Sequence, residues 1–311
     1  MRALLIMPIL FLWWHAYPAQ AFPADTRESQ EVISSKAEDS EEATEKGLLD
    51  RLSEKGIEIR KSFEGTVKEL GLPASVSYAH SDLSGTFYGV DLGVKLANWQ
   101  PSVKTGTLLL FPVTEWHRST AEGEEKNKLS AGLNAEYFLD TPFFLLASKL
   151  ARDFEADTTS VQASAMASLY MEDRAYGPGA PIRAPSEALL GRYYPYIGVE
   201  YFDNLPFKRG QEVLADEVTA SFAAFRLYTE AFPFNRSLDE GQLQLQGTYT
   251  FRRRFDGDLV DDNYDLLNVS LVYYFDEGQR LGIGYDYERG ESPTSNFLSN
   301  EKSSVSLRLK L

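Results

Sequence analysis

Histidine is the side chain most often used for proton transfer near neutral pH, and this sequence has three. His15 belongs to an N-terminal segment that we expect to be removed, which leaves His80 and His117. His80 adjoins Ser81, but adjacent residues of a strand point to opposite faces, so they cannot form a nucleophile–base pair. His117 is most simply an interfacial residue at a strand end. We therefore predict no catalytic residue.

Other chemical signatures are equally weak. Asp256, Asp258, Asp261 and Asp262 resemble a fragment of a calcium loop but lack the downstream Glu that such a loop needs. A solvated outer loop is the simpler interpretation, and weak divalent-cation bridging to lipopolysaccharide is the alternative. The absence of cysteine excludes disulfides, thiolate metal sites and a cysteine nucleophile. No phosphate loop or dinucleotide fingerprint occurs, so we predict no metal site and no cofactor.

Composition narrows the class of protein. The 311 residues include 31 Lys and Arg against 46 Asp and Glu, a net charge of −15 with a pI near 4.8. Such a chain is a poor ligand for nucleic acid, which requires clustered cations. The mean hydropathy of −0.31 argues against a bundle of membrane helices. It is compatible with a membrane β-barrel, whose strands alternate polar and apolar residues.

The N-terminus reads as an export signal. Arg2 is a short positive region, Ala3–Trp14 is an apolar run, and Ala19-Gln20-Ala21 fits a small-x-small cleavage site. The run is short for a membrane span and contains Pro8. We therefore predict a signal peptide at residues 1–21, cleaved near Ala21. Export without cysteine suits a bacterial envelope protein.

Residues 22–72 are predicted to form an acidic leader followed by an amphipathic helix. Phe22–Thr44 is rich in Glu and Ser and shows no sustained period. Between residues 45 and 72, apolar residues recur at helical spacings, namely Leu48, Leu52, Ile59, Phe63, Val67 and Leu70. This helix either rests on the periplasmic mouth or membrane surface, which we favour, or acts as a plug or partner-docking element.

From residue 73 to residue 311 the period is two, which predicts β-strands. The strands are long and alternate polar with apolar side chains, as expected of a closed membrane barrel. We place 12 strands at 74–82, 85–98, 105–117, 127–139, 143–154, 159–172, 190–202, 212–230, 241–255, 264–275, 279–289 and 302–311. The predicted fold is an all-β, antiparallel, up-and-down barrel with both termini in the periplasm.

One connection does not fit the usual pattern of short periplasmic turns. The connection at residues 172–189 is long and contains Gly177-Pro178-Gly179-Ala180-Pro181, yet this strand count places it on the periplasmic side. Either this is an unusual periplasmic turn, or a strand has been gained or lost before it.

The signal peptide, the sustained alternation and the terminal segment Ser303–Leu311 resemble bacterial, Gram-negative outer-membrane β-barrel proteins. That resemblance implies an outer-membrane location, with lipid, lipopolysaccharide and the barrel-assembly machinery as partners. The family usually ends in Phe or Trp, whereas this chain ends in Leu311. The segment around His80 also distantly resembles the His-x-Ser-Asn-Gly segment of outer-membrane phospholipase A, but Asp82 stands where Asn is expected and no Asn-Gly follows.

The polar faces of the strands predict what the barrel encloses. We expect the residues lining a pore to be Asp91, Lys95, Gln242, Gln244, Gln246, Arg252, Arg254, Arg280, Asp286 and Glu288. On the strand at 241–255, Leu243, Leu245, Tyr249 and Phe251 should face lipid. A narrow passive channel for small solutes or ions is the leading hypothesis. The alternatives are a structural or surface-binding barrel with a blocked lumen and, third, a lipid-modifying outer-membrane enzyme such as a lipid hydrolase.

Overall fold

The computed structural model describes residues 57–310 with short gaps at 67–68, 70, 83–84, 122–124, 156, 172–173, 175, 186–187, 210–211, 234–241, 258, 260, 277–278, 292–296 and 298. Within 204–218 the structure describes the backbone alone. The predicted signal peptide, the leader and the first part of the predicted helix lie outside the described residues.

The described residues form 14 strands. In chain order they are β1 (Glu58–Arg60), β2 (Ala74–Ser81), β3 (Gly85–Lys95), β4 (Thr107–Ser119), β5 (Lys126–Phe138), β6 (Pro142–Asp153), β7 (Thr158–Leu169), β8 (Ile182–Arg183), β9 (Leu189–Arg209), β10 (Glu212–Ala231), β11 (Leu243–Gly257), β12 (Asn263–Tyr274), β13 (Leu281–Glu291) and β14 (Ser299–Leu309). No helix long and apolar enough to cross a membrane occurs in the part of the chain that the structure describes.

Twelve of these strands close into an antiparallel barrel, which confirms the predicted fold. Each long strand pairs with its neighbours along the chain, and β14 pairs with β2 from Lys302↔Ser81 to Leu309↔Ala74. Closure leaves no free edge along the barrel, so backbone groups are paired within the sheet, as a membrane interior requires. The short strands β1 and β8 lie outside this ring of twelve.

We call the end of the barrel where β2 begins and β14 ends the proximal end, and the opposite end the distal end. The long connection after β7 lies at the proximal end, where β8 pairs with the start of β9. Its Gly179 donates a backbone hydrogen bond of 2.8 Å to the carbonyl oxygen of Tyr193. The connection is therefore an unusually long turn, and the strand count of 12 holds.

Side chains alternate between the lumen and the outer surface. Apolar residues such as Leu133, Leu146 and Ile197 are more than half exposed, as expected of a lipid-facing belt. On β11, Gln244, Gln246 and Arg252 are buried, while Tyr249 and Phe255 are exposed. Because the side-chain period of a strand is two, a single register separates the two sets. The architecture is a closed antiparallel barrel with a polar interior and an apolar outer surface.

The first strand of the barrel is interrupted. β1 pairs with β3 through Arg60↔Gly93, and β2 pairs with the same edge of β3 through Ser75↔Asp91. The chain between β1 and β2 must therefore leave the sheet and return to nearly the same point. We call residues 61–72 the luminal loop, since its contacts, described below, are with the inner face of the barrel.

The predicted helix does not extend over the described part of residues 57–72. Ile59 lies in β1, and Phe63 lies in the luminal loop among bends and turns. An edge of β3 offers hydrogen-bond partners to residues 58–60, which competes with helix formation. Gly65, Gly71 and Pro73 weaken a helix further. Ile59 and Phe63, which fit the spacing of a helix, are thus a strand residue and a residue that docks on the barrel wall.

Candidate functional site

The luminal loop is closed at its base. The backbone N–H of Lys61 donates a hydrogen bond of 2.8 Å to the carbonyl oxygen of Leu72. Gly71, with φ of 62°, makes the turn next to this bond, and a Cβ at Gly71 would meet Cδ of Arg60 at 2.9 Å. Glycine is favoured here because this left-handed conformation strains other residues. The loop therefore enters and leaves the lumen at the same place.

One side of the loop docks on β4 and β5. The backbone N–H of Phe63 donates to Oε1 of Glu115 at 2.7 Å, and Nδ2 of Asn134 donates to the carbonyl oxygen of Phe63 at 2.8 Å. The hydroxyl of Thr66 donates to Oε2 of Glu136 at 2.8 Å. The Phe63 ring packs in a buried cluster with Phe111 and Val113. Polar and apolar contacts together fix this side of the loop.

The other side docks on β9 and β10. The Tyr196 hydroxyl donates to Oε1 of Glu69, and Nη1 of Arg226 donates to the carbonyl oxygen of Glu64 at 2.9 Å. Glu69 lies in the loop and not in a membrane-spanning strand, and burial raises the pKa of its carboxyl to about 7. The hydrogen bond from Tyr196 and the charge of Arg226 oppose that rise, and Glu230 supports it.

A chain of charged groups joins the loop to the wall. Nζ of Lys61 lies 3.5 Å from Oδ2 of Asp91, and Nδ1 of His117 lies 2.9 Å from Oδ1 of the same carboxylate. Nε2 of His117 lies 3.8 Å from Oε2 of Glu115, whose carboxylate also binds Nζ of Lys149 at 2.7 and 2.8 Å. This network links the base of the loop to the carboxylate that receives Phe63.

The network does not have the geometry of a hydrolase triad. Asp91 pairs with Ser75 on β2 and with His117 on β4, so the carboxylate stands between the hydroxyl and the imidazole. Both ring nitrogens of His117 face carboxylates. A nucleophile–base pair needs the imidazole next to the hydroxyl. His80 is exposed on the outer face, where its Nδ1 lies 3.5 Å from Oγ1 of Thr86.

Two arginines share one carboxylate deep in the lumen. Glu200 on β9 lies 3.1 Å from Nη2 of Arg226 and 2.5 Å from Nε of Arg252. All three side chains are buried, and a buried ion pair is stable only when its charges are well compensated. This group of two arginines and one glutamate carries a net charge of +1. Among the described residues, no group of His, Asp and Glu is arranged to hold a metal ion.

A cavity of about 310 Å³ lies beside the loop. The loop docks on β4, β5, β9 and β10. The cavity is lined by the loop and by inward residues of most barrel strands, and β11 and β12 together contribute seven of them. Towards the distal end, a buried cluster of Phe202, Phe222, Leu259, Tyr264 and Phe297 packs on the inner face. The luminal loop and this cluster thus fill part of the lumen, and the cavity occupies space that they leave.

Half of the residues expected to line a pore border this cavity, namely Asp91, Gln246, Arg252, Asp286 and Glu288. Lys95 and Gln244 are buried on the inner face but lie outside the cavity lining. Lys95 is 2.9 Å from Oε2 of Glu58, and Gln244 accepts a hydrogen bond of 2.8 Å from the Tyr274 hydroxyl. Their partners Glu58 and Tyr274 occupy the space beside Lys95 and Gln244 that an open pore would leave empty.

Three of the expected residues lie at the ends of strands. Gln242 precedes β11, and Arg254 bonds to Oδ1 of Asp262 and the carbonyl oxygen of Gly257, each at 2.8 Å. Arg280 is exposed in the turn before β13. The prediction that Arg280 faces the lumen is wrong, because β13 begins only at Leu281 and side chains alternate between two faces only within a strand.

The residues that hold the loop are not among those predicted to line a pore. Glu115, Asn134, Glu136, Glu200 and Arg226 are all buried and face inward. Their inward parity could have been found, because each lies two or four residues from another inward polar position. No local pattern indicates which inward residues meet the segment before residue 73, because that segment is predicted as a helix that rests on the periplasmic mouth or the membrane surface or, alternatively, plugs the barrel.

No protein-family model and no curated protein matches this sequence. Solved structures are similar in fold at low identity. NanC porin is 10% identical, with 76% of this chain and 100% of that chain covered and a TM-score of 0.46. The translocator domain of autotransporter NalP from Neisseria meningitidis is 11% identical, with coverage of 84% and 94% and a TM-score of 0.39. KdgM porin, in complex with disordered oligogalacturonate, is 8% identical, with coverage of 76% and 99% and a TM-score of 0.38.

Proposed function

We propose that this protein is a channel of the bacterial outer membrane that is closed by its luminal loop. The observation that carries the proposal is the hydrogen bond between Lys61 and Leu72 at the base of the loop. A segment that crossed the barrel would enter at one end and leave at the other. This one enters and returns at the proximal end, so it can be withdrawn without threading the chain.

The contacts of the loop favour a removable plug. Apart from Phe63, the described docking contacts are hydrogen bonds and ion pairs, which water can replace once the loop moves. The anchor is short, because β1 forms three residue pairs with β3 and one ion pair between Glu58 and Lys95. Opening β1 therefore leaves the pairing of β2 with β3 and β14 intact.

A static barrel is the second candidate function. Buried ion pairs between the barrel strands also fill part of the lumen, including Arg308 with Asp286 and the group of Glu200, Arg226 and Arg252. If these pairs span the remaining space, the barrel serves as a structural or surface-binding protein. The two candidates differ in what happens when the loop is taken away.

Replacement of residues 62–71 by two glycines tests the proposal, because Lys61 and Leu72 are already in contact. We expect the folded full chain to stay near leak in planar bilayers and the variant to show discrete conductance steps. Deletion of eight leader residues, Ala24–Glu31, shortens the chain by the same number and should leave the conductance at leak. A variant that folds into vesicles and remains closed would show that the barrel is static.

A further inference from the structure

One wall of the cavity carries a row of polar side chains that the luminal loop does not use. On β11, inward positions from residue 246 to residue 252 border the cavity, and two inward residues of β12 join them. Six residues of strand span roughly 20 Å. We call this row the polar track, and its members are Gln246, Thr248, Thr250, Arg252, Asn268 and Ser270.

Two buried polar atoms of the track have no partner among the described residues. They are Oε1 of Gln246 and Nη1 of Arg252, on side chains that are 7% and 4% exposed. A buried donor or acceptor without a partner is unfavourable, and native structures contain few. One atom is an acceptor and the other a donor, so the wall carries hydrogen-bonding capacity of both kinds that its neighbours leave unused.

Apolar surface lies beside the polar groups. Tyr228 is the cross-strand partner of Thr248, and Leu266 is the cross-strand partner of Thr250. Both apolar side chains also border the cavity. A ligand that fits this wall therefore has hydrogen-bonding edges and apolar faces in alternation.

The lysine and arginine side chains around the cavity equal the acidic ones in number. Six of the former border it, namely Arg60, Lys61, Lys149, Arg226, Arg252 and Lys302, and six acidic side chains do so, namely Glu64, Glu69, Asp91, Glu200, Asp286 and Glu288, with His117 as a further titratable group. Equal numbers of opposite charges create no net field that would select an ion by its sign. The hydrogen-bonding groups, more than the net charge, determine which solute is favoured.

We propose that the polar track binds a neutral, hydroxyl-rich solute, namely a short linear oligosaccharide. Sugar hydroxyls donate and accept, which matches the amide and hydroxyl groups of Gln246, Thr248 and Thr250. The C–H faces of the rings match Tyr228 and Leu266, and the length of the track exceeds one ring. This inference rests on the proposed channel, because it names the class of solute that the channel would pass.

Maltotriose is the test ligand, with polyethylene glycol of similar mass as the comparison that lacks paired hydroxyls. Binding to the full chain in detergent is measured by calorimetry, and block of conductance is measured in the variant with residues 62–71 replaced. We expect maltotriose to bind and to block, and polyethylene glycol to do neither. Gln246→Leu and Thr250→Val, which keep side-chain volume, should each weaken binding about tenfold. Thr114→Val, at an exposed position on β4, is the matched control and should change nothing.

The two proposals can fail separately. If the loop-replaced variant conducts but maltotriose neither binds nor blocks at millimolar concentration, the site proposal is overturned and the channel stands. If maltotriose binds with the stated variant effects but no variant conducts, the site stands and the channel is overturned. Equal binding of polyethylene glycol, or equal loss in Thr114→Val, would overturn the site.

Discussion

The N–H of Lys61 and the carbonyl oxygen of Leu72 form a hydrogen bond of 2.8 Å, although ten residues lie between them in the chain. This contact makes the luminal loop a closed excursion from an interrupted first strand. The barrel wall on either side is complete without the loop, because β3 pairs with β1 and β2 along one continuous edge. The loop and the barrel are thus separable parts of one chain, and the predictions below follow from that separation.

Asn134→Ala should raise the fraction of time that the channel is open. Asn134 is fully buried, and its Nδ2 holds the carbonyl oxygen of Phe63 at 2.8 Å. Its loss removes one docking bond and leaves a buried carbonyl without a donor, which shifts the equilibrium between docked and released loop by about tenfold. Single-channel recording gives the open probability. Asn127→Ala, on the outer parity of the same strand, should leave it unchanged.

Opening should increase as the pH rises from 5 to 8. In the docked loop the pKa of Glu69 is raised to about 7, against 4.5 for a free carboxyl. Protonated Glu69 therefore favours docking. That contribution is complete below pH 4.5 and is lost as the pH rises through about 7, because the ionised carboxyl must then remain buried. The groups facing it are Tyr196, Arg226, Glu230 and Arg60.

Glu69→Gln is the control for this pH dependence. The amide oxygen still accepts from the Tyr196 hydroxyl, but it does not titrate. Open probability in this variant should stay flat and low between pH 5 and 8. An unchanged rise with pH in Glu69→Gln would assign the effect to another group.

Thr66→Cys offers a direct view of loop movement, because the chain has no other cysteine. Thr66 is fully buried, so its thiol should react with a bulky maleimide only when the loop leaves the lumen. Addition of Asn134→Ala should accelerate labelling by the same factor as it raises open probability. Ser299→Cys, exposed at the distal end of β14, should label rapidly in both backgrounds. Labelling of Thr66→Cys as fast as Ser299→Cys would place the loop outside the lumen in solution.

Leu245→Arg should impair folding into lipid vesicles, whereas Thr248→Arg should not. Leu245 lies on the outer parity of β11, where a lipid-facing arginine costs about 2–4 kcal/mol near the bilayer midplane. Thr248 borders the cavity, which has room for a charge. We choose Thr248 because Gln244, on the same face, is fully buried against Tyr274. Urea-dependent folding into vesicles measures the difference, and equal stability of the two variants would contradict the register.

The strand pattern and the tertiary contacts carried different information. The two-residue period from residue 73 onward determined the barrel, its 12 strands and the inward parity of Gln246, Arg252 and Asp286, since alternation on a strand is a local property. The same period does not locate the turns, and Arg280, which it predicts to face the lumen, lies in the turn before β13. Alternation loses its meaning where the strand ends.

What fills the lumen was decided only by tertiary structure. Glu69 meets Tyr196 across 127 residues, and Glu64 meets Arg226 across 162. Parity shows that a side chain points inward, but it does not show which side chains meet across the barrel. The helical spacing of Ile59 and Phe63 likewise could not reveal that β3 would offer residues 58–60 an edge to pair with. The sequence by itself therefore determined a barrel with a polar interior. The interruption of its first strand and the insertion of a loop into the lumen depend on contacts between residues far apart in the chain.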